Sequence, residues 1–374
     1  MTLSRSPHAS LGEIDRDASS DALAFASTEA SSSVLGPLRL RPGEILEGRY
    51  VLERCIGIGG MSEVWAAQHL GLDREVAIKL LRRDATIHAE RLRTEAKLLA
   101  RLRHPAIVEI HDLGALPDGT HYLVMERLRG ETLLAYVERR GGRLPAREAV
   151  ALVVRLLEGL EVVHAAGVVH RDVKPENVLL EASGTRLMPK LVDFGIALRT
   201  DPGAPRQTSA GGIVGTPAYL SPERTLSASA DAAADVWAVG VTLYELVTGR
   251  LPFHGHDMLH LLRAILDAPL PYPRDLEPAL DGALFAILST ALRKDPRARY
   301  ASAAAMREAL EAWLGSERDT TSSGVRALVP TPPATPRTPT TIPAPASTPA
   351  PSPSPAPSSR TRLDTLIREK LRRA

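Results

Sequence analysis

Apolar residues alternate with polar ones from Tyr50 to Leu81, and glycines interrupt the runs. A period of two, broken in this way, predicts a twisted antiparallel sheet. Between Arg91 and Leu102 the apolar spacing changes to three and four, which predicts a helix. Tyr122 to Leu128 returns to a strand-like run. From about Thr132 helical spacing dominates, over Ala146–His164, Asp235–Thr248, His256–Leu266, Leu280–Leu292 and Ala301–Leu314. Sheet first and helices afterwards, within one stretch from about 44 to 315, predicts an α+β fold.

The flanks read differently. Residues 1–43 are rich in Ser and Ala without sustained periodicity and are expected to be disordered. Twelve of the chain's 30 prolines fall between 330 and 357, so 316–359 is expected to be an extended Pro/Thr/Ser-rich linker. In 360–374, Leu363, Leu366, Ile367 and Leu371 share a helical face among arginines, a short basic amphipathic tail. Docking to a partner, lying on an anionic membrane, folding back on the main unit and having no role at all are its open readings.

Composition narrows the classes. Lys+Arg 46 against Asp+Glu 44 leaves a net charge of +2, so the whole chain makes no case for nucleic-acid binding. Cys55 is the sole cysteine, which excludes an intrachain disulfide and a thiolate metal cluster. The N-terminus lacks the apolar run of a signal peptide, and no apolar stretch nears the roughly 18 residues of a membrane helix. The expected location is the cytoplasm.

The chemistry concentrates in His170-Arg171-Asp172-Val173-Lys174-Pro175-Glu176-Asn177, followed by Asp193-Phe194-Gly195. Asp172 offers a base for a hydroxyl and Lys174 a cation for a moving phosphate, while Asn177 and Asp193 offer hard oxygen ligands for a divalent metal ion. Upstream, Ile56-Gly57-Ile58-Gly59-Gly60-Met61-Ser62-Glu63-Val64 sits between two strand-like runs. Glycines there suit either a tight hairpin or a backbone cradle for phosphates. Lys79, in Val76-Ala77-Ile78-Lys79, lies in an apolar strand and either points to water from an edge or needs an anionic partner.

These blocks resemble the bacterial eukaryotic-like Ser/Thr protein kinases of the PASTA-kinase type, over about 50–314. The resemblance implies a bilobal kinase fold: a small antiparallel-sheet lobe with one key helix, about 44–125, and a larger helical lobe, about 129–315. It implies ATP as cofactor with Mg²⁺, Mn²⁺ being an alternative, and protein substrates with Ser/Thr acceptors. Lys79 would hold the nucleotide phosphates and pair with a helix glutamate, Glu95 ahead of Glu90. The segment Ile56–Val64 would cover the nucleotide, with Val64, Ala77 and Leu179 sandwiching the adenine. Met125 would back that pocket, and the backbones of Glu126 and Leu128 would bond the adenine edge.

Arg171 would read a phosphate on the activation segment, placed on Thr208 or else Ser209, and Thr216 would touch Asp172 and Lys174. Glu223 would pair with Arg299, and Asp235 would hold the catalytic-loop backbone. Glu176 would either favour a basic residue in the substrate or stay a solvated loop acid. Pairing of two copies through the small lobe is a further implication. Two departures stand out: Ser62 occupies the third glycine position, and Ser221-Pro222-Glu223 replaces Ala-Pro-Glu. The sequence therefore points to a Ser/Thr protein kinase activated by autophosphorylation. The alternative is a kinase-shaped scaffold with little catalysis, and a small-molecule phosphotransferase ranks below both.

Overall fold

The structure is a computed structural model, and it describes residues 40–59, 62–81, 89–184, 186–194, 217–226, 231–272 and 280–322. Gly60, Met61, Gly195, Thr208, Ser209 and Thr216 lie outside the described residues, as do 1–39 and 323–374.

The alternating stretch forms β1 (Ile45–Leu46), β2 (Tyr50–Ile58), β3 (Ser62–His69) and β4 (Arg74–Leu81). Helix α1 (Ala89–Leu99) follows, then β5 (Ile110–Ala115) and β6 (His121–Glu126). Six antiparallel strands are ordered β1-β2-β3-β4-β6-β5. Both faces of this sheet are covered, and the period of two divides its residues between them. Val76, Ile78 and Leu80 join Tyr122 and Val124 in one cluster. Ala77 and Leu81 join Leu123 and Met125 in another, together with Leu92, Ala96 and Leu99 of α1. Lys79 therefore shares its face with Ala77 and Leu81, on the side of α1.

The second lobe begins with β7 (Gly130–Thr132), α2 (Leu133–Arg139) and α3 (Ala146–Ala165). Then come β8 (Val178–Ser183) and β9 (Arg186–Leu191), which form a small sheet in the order β7-β8-β9. Gly130 is required there, because a Cβ at that position would stand 2.0 Å from the Leu180 carbonyl oxygen. Further on are α4 (Pro222–Thr225), α5 (Ala232–Thr248), α6 (Met258–Asp267), α7 (Gly282–Ala291) and α8 (Ala303–Ser322). The lobe's main core joins Leu156, Leu160, Val239, Leu243, Leu284 and Met306.

Helix α5 is buried nearly all round, as expected of a helix that is apolar on every side. It starts three residues before the predicted Asp235, because the Asp231 side chain accepts from Ala233 N and caps it. It ends at Gly249, whose φ of 70° suits the left-handed C-cap. Helix α8 runs past the predicted end at Leu314.

Candidate active site

The junction of the two lobes gathers the chemistry-bearing residues. The catalytic-loop stretch is pinned from beneath by α5. Asp235, fully buried, accepts from the backbone N–H of His170 at 2.8 Å and of Arg171 at 2.8 Å, and lies 2.9 Å from His164 Nε2. Burial opposes its ionisation, but the His164 hydrogen bond and the neighbouring imidazoles and N–H groups outweigh this and hold its carboxyl below the usual aspartate range.

A carboxyl depressed on folding stabilises the protein above its unfolded value and loses that contribution as pH falls through its folded value. Wild-type stability should therefore fall with acid below about pH 4. Asp235→Asn should flatten that dependence by one proton's worth of slope, measured by urea unfolding at a series of acidic pH values. An unchanged slope would remove Asp235 from the acid response.

His170 is fully buried and structural in its contacts. Its Nδ1 accepts from Asp172 N at 3.3 Å, which leaves Nε2 to donate to Val192 O at 3.1 Å. Burial pushes its imidazole below the usual range. Its ring packs 4.7 Å from that of Phe194. Backbone strain collects here too: Arg171 has φ 70° and Asp193 φ 59°, rare conformations for side chains with a Cβ. The Arg171 carbonyl accepts from Arg224 Nη1.

Asp172, Lys174 and Asn177 converge. Lys174 Nζ lies 3.3 Å from Asp172 Oδ2. Asn177 Nδ2 donates to Asp172 O at 2.8 Å and to Asp172 Oδ2 at 2.7 Å. With both amide protons directed at Asp172, the Asn177 carbonyl oxygen is left as the acceptor end of that side chain. That oxygen and the Asp193 carboxylate are hard oxygen donors of the kind a divalent cation takes.

The apolar wall is continuous. Ile56, Val64, Ala77, Met125, Leu128 and Leu179 belong to one cluster of buried residues. In the glycine-rich segment Gly59 N donates to Ser62 O at 2.8 Å, and Gly57 and Ile58 pair with Val64 and Glu63. Ile58 is exposed and Glu63 is buried.

The expected pair between Lys79 and Glu95 is replaced by two others. Lys79 Nζ binds Asp193 Oδ1 at 2.8 Å, and Glu95 Oε1 faces Arg171 Nη1 at 3.4 Å. Opposite charges shielded from water draw together strongly, and Asp193 lies within reach of Lys79 and Arg171 within reach of Glu95. Arg171 thus meets a carboxylate where a phosphate was expected. The Glu223–Arg299 pair is present and bidentate, at 2.9 and 2.7 Å.

Glu176 is not a solvated loop acid. Its Oε2 is closed off from solvent and, among the described residues, has no hydrogen-bond partner. Burial pushes its carboxyl above the usual range. The same holds for Glu245, which accepts from Tyr219 OH at 2.5 Å and is raised further by the charge of Glu176. Glu245 escapes sequence reasoning because it lies in an otherwise apolar helix, where its distance from the catalytic loop is invisible. Lys190 escapes it as well, although a lysine in the apolar run Pro189-Lys190-Leu191-Val192 signals a need for an anion as clearly as Lys79 does.

A sheet-rich lobe with one helix, stacked on a helical lobe with these polar groups at the seam, defines a bilobal kinase architecture. Comparisons with known proteins agree. The family model of the protein kinase domain matches residues 50–311. The serine/threonine-protein kinase Pkn1 of Myxococcus xanthus is 39% identical over 296 residues, covering 77% of this chain and 42% of Pkn1. PknA of Mycobacterium tuberculosis is 39% identical over 286 residues, covering 74% of this chain and 64% of PknA. The crystal structure of the Mycobacterium tuberculosis PknI kinase domain matches with a TM-score of 0.56 at 29% identity, covering 73% of this chain and 99% of that domain.

The chain belongs to the protein kinase family. It spans 42% of the length of Pkn1 and 64% of that of PknA. Membership implies ATP and a divalent metal ion. Among the described residues, no helix is long and apolar enough to cross a membrane.

Proposed function

We propose that this protein is a serine/threonine protein kinase that transfers the γ-phosphate of ATP to Ser/Thr hydroxyls of proteins, with Mg²⁺ as metal and Mn²⁺ as a second choice. The observation that carries this reading is the convergence of Asp172, Lys174 and Asn177 on one side of the lobe junction with Lys79 and Asp193 bonded to each other.

In this reading Asp172 takes the proton of the incoming hydroxyl and Lys174 steadies charge on the moving phosphoryl group. Asn177 and Asp193 hold the metal ion, which when bound neutralises phosphate charge. Lys79 holds the nucleotide phosphates beneath the Ile56–Val64 turn. Val64, Ala77, Met125 and Leu179 pack on the adenine, and the backbones of Glu126 and Leu128 bond its edge. Dependence on ATP fits a cytoplasmic site of action.

The two exchanged ion pairs support activation by autophosphorylation. A phosphate on Thr208 or Ser209 would compete with Glu95 for the Arg171 guanidinium, since bidentate phosphate pairing is strong. Glu95, once released, would pair with Lys79 and leave Asp193 to the metal ion. Thr216 would close the acceptor side beside Asp172 and Lys174. Glu176, whose carboxyl is raised by burial and by the charge of Asp172, would favour substrates with a basic residue close to the acceptor, because an incoming cation relieves it.

Incubation of the purified protein with γ-labelled ATP and Mg²⁺, with peptide acceptors and mass-spectrometric mapping, tests this. Label is expected on Thr208 or Ser209 of the protein itself, and on peptides with a basic residue near the acceptor ahead of neutral ones. Absence of label from the chain and from every acceptor would overturn the kinase reading.

A further inference from the structure

Lys190 sits on β9 directly opposite Leu179 of β8. Residues opposite each other in an antiparallel pair project from the same face. Leu179 belongs to the apolar cluster with Val64, Ala77 and Met125, so Lys190 stands beside the floor of that wall. Its Nζ donates to both carboxylate oxygens of Glu126, at 2.8 and 2.8 Å. Both side chains are largely shielded, 13% and 18% exposed.

Glu126 is the last residue of β6, where the chain passes from the sheet towards the second lobe. Its carboxylate also accepts from Glu109 N at 2.9 Å, and its own N–H donates to Glu109 O at 2.9 Å. Four residues on, Gly130 lies against the Leu180 carbonyl of β8. The connecting segment is thus tied twice to the β8–β9 hairpin, once by the Lys190–Glu126 ion pair and once by backbone contact.

We propose that Lys190 is a positioning residue for nucleotide binding, fixing the adenine-bonding edge at Glu126–Leu128 against the adenine floor at Leu179. This rests on the kinase reading above. The slot for a flat ring has a floor on β8, and its hydrogen-bonding edge is the backbone that follows β6. These belong to different lobes, so their separation is set by whatever ties them. Lys190 bonds to the end of β6, from which that backbone follows, and shares a face with the floor residue. Without the ammonium, the Glu126 carboxylate keeps one donor and turns towards water, and the backbone that follows it is no longer held to the floor. The loss should appear in ATP affinity and leave the chemistry at Asp172, on a different element, in place.

The test measures KM for ATP, KM for a peptide acceptor, kcat, and the Kd for ATP by competition with a fluorescent ATP analogue, alongside thermal unfolding. Lys190→Met should raise both KM and Kd for ATP about tenfold, in the range of a coupling between contacting charges, with kcat and peptide KM near wild type. Lys190→Arg, which keeps the charge and can still reach the carboxylate, should restore ATP affinity. If Lys190→Met fails to fold, Lys190→Met/Glu126→Gln removes the stranded charge, and it should fold and still bind ATP about tenfold more weakly. Wild-type ATP affinity in either folded variant overturns the proposal, as does a fall in kcat with KM for ATP unchanged. Wild type that binds no ATP sinks the kinase reading itself, which separates the two failures.

Discussion

Asp172→Asn is expected to lower the phosphorylation rate by about 10²–10⁴-fold, the usual contribution of a positioned base. Asparagine keeps the size of the side chain and can still accept from Asn177 Nδ2, which now bonds both the Asp172 carboxylate and its carbonyl. The loop should therefore hold its shape, and ATP should bind as before. What disappears is the carboxylate proposed to take the hydroxyl proton, which also balances Lys174, 3.3 Å away. Steady-state kcat on a peptide acceptor, with ATP binding measured separately, checks this. A near-wild-type kcat would mean that the acceptor hydroxyl loses its proton elsewhere. Loss of ATP binding along with rate would mean that Asp172 holds the site together rather than acting on the acceptor.

Arg299→Ala should carry a larger stability penalty than Asp235→Asn, Asp172→Asn or Lys190→Met. Its guanidinium is fully buried and pairs with Glu223, 14% exposed. It donates to Glu223 twice, to Ala233 O at 2.8 Å, and to Arg293 O at 2.8 Å and Lys294 O at 3.3 Å. The Glu223 carboxyl is burdened by burial, but the Arg299 hydrogen bonds hold it below the usual range. Removing the arginine takes the paired charge from that buried carboxylate and a donor from three carbonyls at once, which should cost about 3–5 kcal/mol. Lysine should not restore it, because one ammonium cannot reproduce the planar fork. Urea unfolding of Arg299→Ala and Arg299→Lys measures both. A loss below about 1 kcal/mol would class the pair with exposed ion pairs. The same variants should lose activity, since Glu223 anchors α4, which lies just after the stretch that carries Thr208, Ser209 and Thr216.

Much of the fold is legible in the spacing of apolar residues. The alternation from Tyr50 to Leu81 became three strands of one sheet, and the helical spacings fell close to the observed helices except at the end of α8, which runs on to Ser322. The misses are local. Helix α2 is only seven residues long, too short for periodicity to announce it. Strand β7 has three residues, and its pairing with β8 depends on Gly130 passing under Leu180. The early start of α5 depends on the Asp231 side chain reaching back to a backbone N–H, which hydrophobic spacing does not record.

The site divides in the same way. Sequence alone determined which residue types meet: a carboxylate, lysine and asparagine within one short loop, a second carboxylate after it, a lysine in an apolar strand and a glycine-rich turn. Short spacings hold such groups together in almost any fold of the chain, so their chemistry could be read directly. Tertiary structure alone decided who pairs with whom. Lys79 took Asp193 and Glu95 took Arg171, Glu176 came beside Glu245, and Lys190 reached Glu126 across the seam between the lobes. Ion pairing at half-buried sites is settled by a few ångströms of separation and by shielding from water. Both depend on how distant segments pack, which no linear pattern contains.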